Sequence, residues 1–303
     1  MPPNRFTRSF ASNPGDGVQN SCCRDGGEKL RIGMESAIGV SRRIEDRMDP
    51  SRAAALHELL GRNGPAPGPA DPLPPFWHHI YFWEPVRPEN TGIDGHPKTG
   101  GFLPDTGLPK RMWASGRIKE FAPLRIGRRG CKKSVVDTVE AKDGRSGPLA
   151  FVTLRHEFTQ SGEVVLEERQ TLVYRRKDAP AREPLPAPSD ETASVSRAFD
   201  SSALFRFSAL TFNGHRIHYD AEYCRAVEGY PSLVVHGPLL ALMLTNLTAE
   251  FIGGFHLFDY RAIAPLFANE FADFCIRESA NGADSWVRGA DGRLCMSAKA
   301  TTC

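Results

Sequence analysis

The sequence predicts an α+β protein made of two similar halves, each an antiparallel sheet wrapped around a central helix. Three observations lead there. The helix that begins at Pro238 is apolar nearly all round (Leu239, Leu240, Leu242, Met243, Leu244, Leu247), so it belongs inside a core. In both halves a helical segment is followed by β-rich runs punctuated by Gly and Asp turns. Between the halves, "RKDAPAREPLPAPSDETAS" holds four prolines and almost nothing to bury, which reads as a linker. The expected division is an extension over 1–33, a first half over 34–175, a linker over 176–196 and a second half over 197–303.

The elements follow in chain order. Residues 1–33 carry few large apolar side chains and many Gly, Ser, Asn and Arg, the composition of a disordered extension. Arg5 and Arg8, with no acid in the first fifteen residues, also give them a faint transit-peptide character. "DPSRAAALHELLGRNG" predicts a helix capped by Asp49, with Pro50 at its first position and Gly61 or Gly64 closing it. "DPLPPFWHHIYFWEP" turns from proline-rich to aromatic, and residues 87–110 should form a long loop. Four strands are then expected from "KRMWASGRIKEFAPLRIG", "KKSVVDTVEAKDG", "PLAFVTLRHEFTQSG" and "EVVLEERQTLVYR". In the second half "SALFRFSALTFN" reads as a strand, a short helical stretch falls near "DAEYCRAVEG", and strands follow the buried helix, with a hairpin signal at Ala290-Asp291-Gly292.

Composition excludes several functions. With 38 basic and 36 acidic residues in a chain of 303, nothing suggests a nucleic-acid surface. No apolar run approaches the roughly 20 residues of a membrane span. The seven cysteines are scattered and form no CxxC pair, which argues against a disulfide framework or structural zinc and for a reducing compartment. The expectation is a cytoplasmic protein, or a mitochondrial-matrix one if residues 1–33 are a transit peptide.

Chemistry concentrates in "LTFNGHRIHYD", where Asn213, His215, Arg216, His218, Tyr219 and Asp220 fall within eleven residues. An imidazole titrates near pH ~6.5, so His218 suits general acid–base transfer, although a lone histidine is often structural. His215 and His218 could share a helix face and, with His236, form a metal site, but no Cys or acid completes a standard spacing, and no metal is expected. Asn213 can orient water but cannot take a proton. Gly237 precedes Pro238, which has no N–H, so the free donor at the start of the buried helix is the Gly237 amide. Such an amide either caps the helix and does nothing more or stabilises negative charge developing on a ligand.

The stretch "RFSALTFNGHRIHYDAEYCRAVEGYPSLVVHG", together with "DPLPPFWHHIYFWEP", resembles the type 2 3-hydroxyacyl-thioester dehydratases and mesaconyl-CoA hydratases of the MaoC-like superfamily. The likeness covers residues 34–298. It implies a double hot-dog fold with a degenerate first half, and a hydro-lyase that acts on acyl thioesters of CoA or acyl carrier protein without a cofactor. The superfamily motif is Asp, any residue, Asn, Pro, an aliphatic residue and His. In register, Asn213 stands at the Asp, His215 at the Asn, Arg216 at the Pro, Ile217 at the aliphatic position and His218 at the catalytic His, while Gly237 stands at the oxyanion glycine. His218, Asn213 and Gly237 are therefore the implied catalytic set, and His215, Arg216, Tyr219 and His236 the implied substrate contacts. The departure at Asn213 leaves His218 alone with the proton or shares it with Asp220 or His215, and also admits a non-catalytic thioester binder. His78 and His79 are expected to be structural. A carboxylated acyl group needs a cation, for which Arg216 and Arg225 lie nearest in sequence. A homodimer fits this reading.

Overall fold

A computed structural model describes residues 34–144, 147–177 and 183–302. The extension over 1–33, with the expectations attached to it, lies outside the described residues, as do residues 178–182 of the expected linker.

Among the described residues ten strands form one antiparallel sheet: β1 (Ser41–Asp46), β2 (Lys110–Glu120), β3 (Gly130–Gly144), β4 (Gly147–Gln160), β5 (Glu163–Arg175), β6 (Ala193–Arg197), β7 (Leu257–Ala262), β8 (Ala272–Ser279), β9 (Gly282–Gly289) and β10 (Leu294–Thr301). Their order is β1-β3-β4-β5-β2-β7-β10-β9-β8-β6, so each half supplies five strands and β2 pairs with β7 at the middle. The two halves repeat one plan. In the first, β1 leads to helix α1 (Pro50–Leu59) and then to β2 through β5. In the second, β6 leads to α2 (Ser201–Thr211), then to α3 (Gly237–Ile252), then to β7 through β10. The helix expected at the centre of each sheet is present as α3, which packs against β7, β8, β9 and β10.

The degeneracy of the first half lies at the counterpart of α3, where residues 60–109 contain only short 3-10 turns at Trp77–Ile80 and Pro88–Asn90. The aromatic segment fills the space instead. Phe76, Trp77, Ile80, Tyr81 and Phe82 are all buried, Phe82 meets Phe158 of β4, and Trp77 Nε1 donates to Asn246 Oδ1 on α3.

Two elements differ from expectation. "SALFRFSALT" is helical. Asp200 accepts from the Ala203 N–H, Phe212 closes the helix with φ 52°, and Leu204, Phe207 and Ser208 are its buried face. A short apolar run carries no decisive period, and the cap and the i, i+3, i+4 burial select the helix. The last part of the expected linker is also ordered. Residues 193–197 are β6, Glu191 pairs with Arg288, and the Pro188 carbonyl accepts from Trp286 Nε1. Among the described residues no helix is long and apolar enough to cross a membrane.

Candidate active site

The motif loop leaves α2 at Phe212. Asn213 Oδ1 accepts from the His215 N–H at 3.0 Å, an Asx turn that bends the chain into the 3-10 turn Arg216–His218. Asn213 therefore shapes the loop through its Oδ1. The turn places His218 inside, 6% exposed, with Nδ1 2.7 Å from the Val234 carbonyl. A carbonyl only accepts, so Nδ1 carries the proton and Nε2 is the unprotonated, basic nitrogen. Burial lowers the His218 pKa to about 3, against the pull of the Val234 carbonyl and with help from nearby His96.

His218 stacks on His236, ring centroids 3.6 Å apart, and His236 is the residue before Gly237. His236 is fully buried and shares a 2.8 Å hydrogen bond with Ser208 Oγ. Its pKa lies well below the usual value because of burial, then of His218 and His215. His218 is therefore held against the residue that precedes the start of α3. There His236 N-caps the helix and Pro238 occupies the first turn, while no protein acceptor among the described residues takes the Gly237 N–H. Gly237 is required for a steric reason as well. A Cβ built on it would stand 2.6 Å from Cε3 of Trp113 on β2.

His215 is buried and T-shaped to His218, ring centroids 5.4 Å apart. Its ring also lies 4.1 Å, tilted by 37°, from that of His96, a residue far outside the motif. His96 comes from the first half's long loop, where its Nδ1 lies 3.0 Å from Asp94 Oδ2. The loop docks through the Asp94 carbonyl, which accepts from the Arg216 N–H at 2.9 Å, and through a backbone crossing of Gly95 on Gly214. Gly95 has φ +87°, and a Cβ there would stand 1.9 Å from the Gly214 carbonyl oxygen, so only glycine fits. The single sequence signal for this contact was the turn "DGH" inside a loop. Burial, then His96, His218, Arg111 and Lys110, hold His215 far below the ordinary imidazole value.

The remaining expected contacts lie elsewhere. The Arg216 guanidinium is engaged by Asp220 at 2.7 Å and stacks over Tyr223. Tyr219 is 45% exposed and donates to the Gly214 carbonyl, and Arg225 is exposed. His78 and His79 face the buried carboxylate of Glu168 on β5 at 3.1 and 3.2 Å, and Tyr260 OH donates to the same carboxylate at 3.2 Å. Two groups have metal-ligand donors close together, His78–His79–Glu168 and Asp94–His96–His215. In both the carboxylate is already hydrogen-bonded, Glu168 to His78 and Tyr260, and Asp94 to His96. A separate concavity of about 410 Å³ opens on the other side of the sheet, between Arg117, Arg169, Arg261 and Lys299, and holds none of the motif residues.

A sheet shared by two five-stranded halves, with His215, His218 and His236 buried around the free amide that starts α3, is the double hot-dog architecture. The comparisons agree. HtdX from Mycobacterium tuberculosis superposes with a TM-score of 0.63 at 16% identity, covering 87% of this chain and all of that one. A MaoC-like dehydratase from Phytophthora capsici superposes with a TM-score of 0.60 at 12% identity, covering 90% and 99%. The profile of the hydroxyacyl-thioester dehydratase type 2 family matches residues 76–268, and the chain belongs to that family. It is 41% identical over 270 residues to the mesaconyl-C(4)-CoA hydratase of Chloroflexus aurantiacus, covering 86% of this chain and 95% of that protein. It is 26% identical to the mitochondrial hydroxyacyl-thioester dehydratase type 2 of Schizosaccharomyces pombe, covering 69% and 79%.

Proposed function

We propose that the chain is a hydro-lyase that adds water reversibly across the 2,3-double bond of an enoyl-CoA, with a short acyl group bearing a free carboxylate, of the mesaconyl type, as its substrate. The observation that carries the reading is 41% identity across nearly the full length of a mesaconyl-C(4)-CoA hydratase. The site supports it, with a neutral His218 held beside an unclaimed Gly237 amide.

In this reading the thioester carbonyl accepts from the Gly237 N–H. His218 Nε2 removes a proton from a water positioned by the Asn213 amide, and the water oxygen bonds to Cβ. The π electrons move onto the carbonyl oxygen as an enolate, held by the amide at the positive end of α3. His218 then returns its proton to Cα from the same face. Burial that disfavours an imidazolium is offset when an enolate forms beside it, since each charge stabilises the other. No step needs Asn213 to accept a proton, so its place in the motif is compatible with turnover. Run in reverse, the same groups dehydrate a 3-hydroxyacyl thioester, the direction that the family's name describes. The free, buried Cys131, Cys224, Cys275 and Cys295 accord with a reducing, cytoplasm-like compartment.

The test is hydration of mesaconyl-C4-CoA, crotonyl-CoA and a medium-chain enoyl-CoA, followed by loss of enoyl absorbance. The expected result is preference for the carboxylated thioester, with His218→Ala at least about 10²-fold slower. A preference for the plain longer chain would move the reading to a fatty-acyl dehydratase. Turnover that survives His218→Ala would remove His218 from the mechanism.

A further inference from the structure

A carboxylated acyl group brings a second negative charge into a largely buried site, and an unpaired buried carboxylate is costly. Four cations lie near the motif. Lys110 is bound to Glu228 at 3.0 Å and sits over Tyr230. Arg216 is bound to Asp220, and Arg225 is exposed on the outer turn. The fourth is Arg111, half-buried on β2, with no carboxylate within ion-pairing distance among the described residues.

The local fold turns Arg111 inward. The β2–β5 register shifts between Trp113 and Ser115, leaving Ala114 as an extra residue. Past this bulge Gly116 and Ile118 face the core, Gly116 against the Tyr260 hydroxyl. Before it, the core face carries Arg111 and Trp113, opposite the buried residues Tyr174 and Leu172. Such a bulge re-aims side chains beside a site. The Trp113 ring lies against Gly237, so Arg111 projects two residues along the same face from the residue covering the proposed oxyanion donor. Its guanidinium lies beside the Tyr174 hydroxyl and near enough to His96 and His215 to lower both. Trp113 Nε1, on the same face, is a buried donor with no protein partner.

We propose that Arg111 is the specificity-determining residue that binds the free carboxylate of the acyl group. This rests on the hydratase reading above and names the group that selects its substrate class. In a mesaconyl-type thioester the carboxylate hangs from the carbon that water attacks, so its counter-ion must stand close to both the base and the oxyanion donor. Arg111 meets that requirement through Trp113 on one side and His215 on the other. Asp94, which lies near Arg111, is occupied by His96 and leaves the guanidinium fork open.

The experiment compares kcat/KM for mesaconyl-C4-CoA with that for crotonyl-CoA, in wild type, Arg111→Gln and Arg111→Lys. Both thioesters present the same CoA and the same reacting bond, so the ratio isolates the carboxylate. Arg111→Gln should lower the ratio about 100-fold, as expected for one charge-assisted pair. Arg111→Lys keeps the charge and the aliphatic stem but not the planar fork, and should lower it about 10-fold. A ratio unchanged in both variants overturns the assignment, and so does an equal fall on the two substrates, which would place Arg111 against the CoA moiety or the fold. Wild-type enzyme that hydrates crotonyl-CoA but not the carboxylated thioester would instead refute the substrate reading itself. If Arg111→Gln does not fold, Arg111→Lys decides alone.

Discussion

Gly237→Ala is the sharpest test of the site, because general helix energetics and this structure predict opposite outcomes. An alanine in a helix is ordinarily better than a glycine by up to about 1 kcal/mol. Here the added Cβ would stand 2.6 Å from Trp113 Cε3 and 3.2 Å from Cζ3, whereas ordinary contact begins at 3.4 Å. The indole cannot simply withdraw, since its other neighbours are Tyr260, stacked at 4.6 Å, and Phe76, edge-on at 6.3 Å. Overpacking of this kind costs about 1–3 kcal/mol, which exceeds the helix gain, so the melting temperature should fall by a few degrees. The kinetic effect should be larger. If the first turn of α3 moves by an ångström to relieve the clash, its amide no longer meets the developing enolate. Loss of one such donor slows turnover about 10²–10³-fold. Steady-state hydration with a parallel thermal melt measures both quantities. Adding Trp113→Leu should restore room and recover part of the stability lost. A Gly237→Ala enzyme as stable as wild type, with kcat within about threefold, would refute both the packing argument and the role of the amide.

Two further predictions concern charge. His218 has its pKa lowered to about 3, first by burial, so the folded enzyme keeps Nε2 neutral well below pH 6.5, and kcat/KM should show no half-drop between pH 6 and 7. An acid limb centred there would refute the burial argument. The sign for stability is the reverse of that for a histidine gaining a partner. His78, lowered to about 4, and His215, His218 and His236, also lowered, bind fewer protons folded than unfolded, so stability falls as pH drops below 6.5 toward 4. Thermal melts should therefore fall steadily between pH 7 and 5, and a flat series would contradict this. Glu168, held well below its usual value despite burial by His79 and His78, contributes stability that is lost only at lower pH. Glu168→Ala leaves the His78 and Tyr260 donors without their buried acceptor and takes the carboxylate from beside His79, and should cost about 3–5 kcal/mol in a urea melt. A cost under about 1 kcal/mol would mean that water replaces the carboxylate.

How much was legible in the sequence depended on whether a feature is local. The β2–β5 meander and α3 carry their period, their turns and their start signal in the chain itself, and the structure has them where the pattern put them. The helix α2 does not, because eleven residues with three buried positions fit a strand as well until Asp200 is seen to cap it. Within the site, His218, His236 and Gly237 could be picked out because a turn and a helix start place them. His96 and Arg111 could not, since they reach the motif from elements more than 100 residues earlier, by a loop crossing at Gly95 and a bulge at Ala114. Neither device has a sequence signature beyond a glycine in one case and none in the other.

That division explains what the degenerate half contributes. In the second half the segment between its α2 and its strands forms α3, whose first residue supplies the proposed oxyanion donor. In the first half the corresponding segment has no such helix, so its sheet must be covered by something else. The residues from Phe76 to Phe82 do that, with Trp77 anchored to Asn246 on α3 and the histidine pair anchored to Glu168. Residues 87–109 then serve two ends: Phe102, Leu103 and Leu108 pack on the first half's sheet with Val136, Val152 and Tyr174, while the turn before them lies against the other half and carries Asp94 and His96 to His215. The start of β2, which extends past its pairing with β7, carries Arg111 and Trp113 on its core face, Trp113 against Gly237. The first half thus has no helix start to match that of α3 and lends its loop instead, so the two halves of a fold built on a repeat bring different groups together, His215, His218 and His236 from one and Asp94 and His96 from the other.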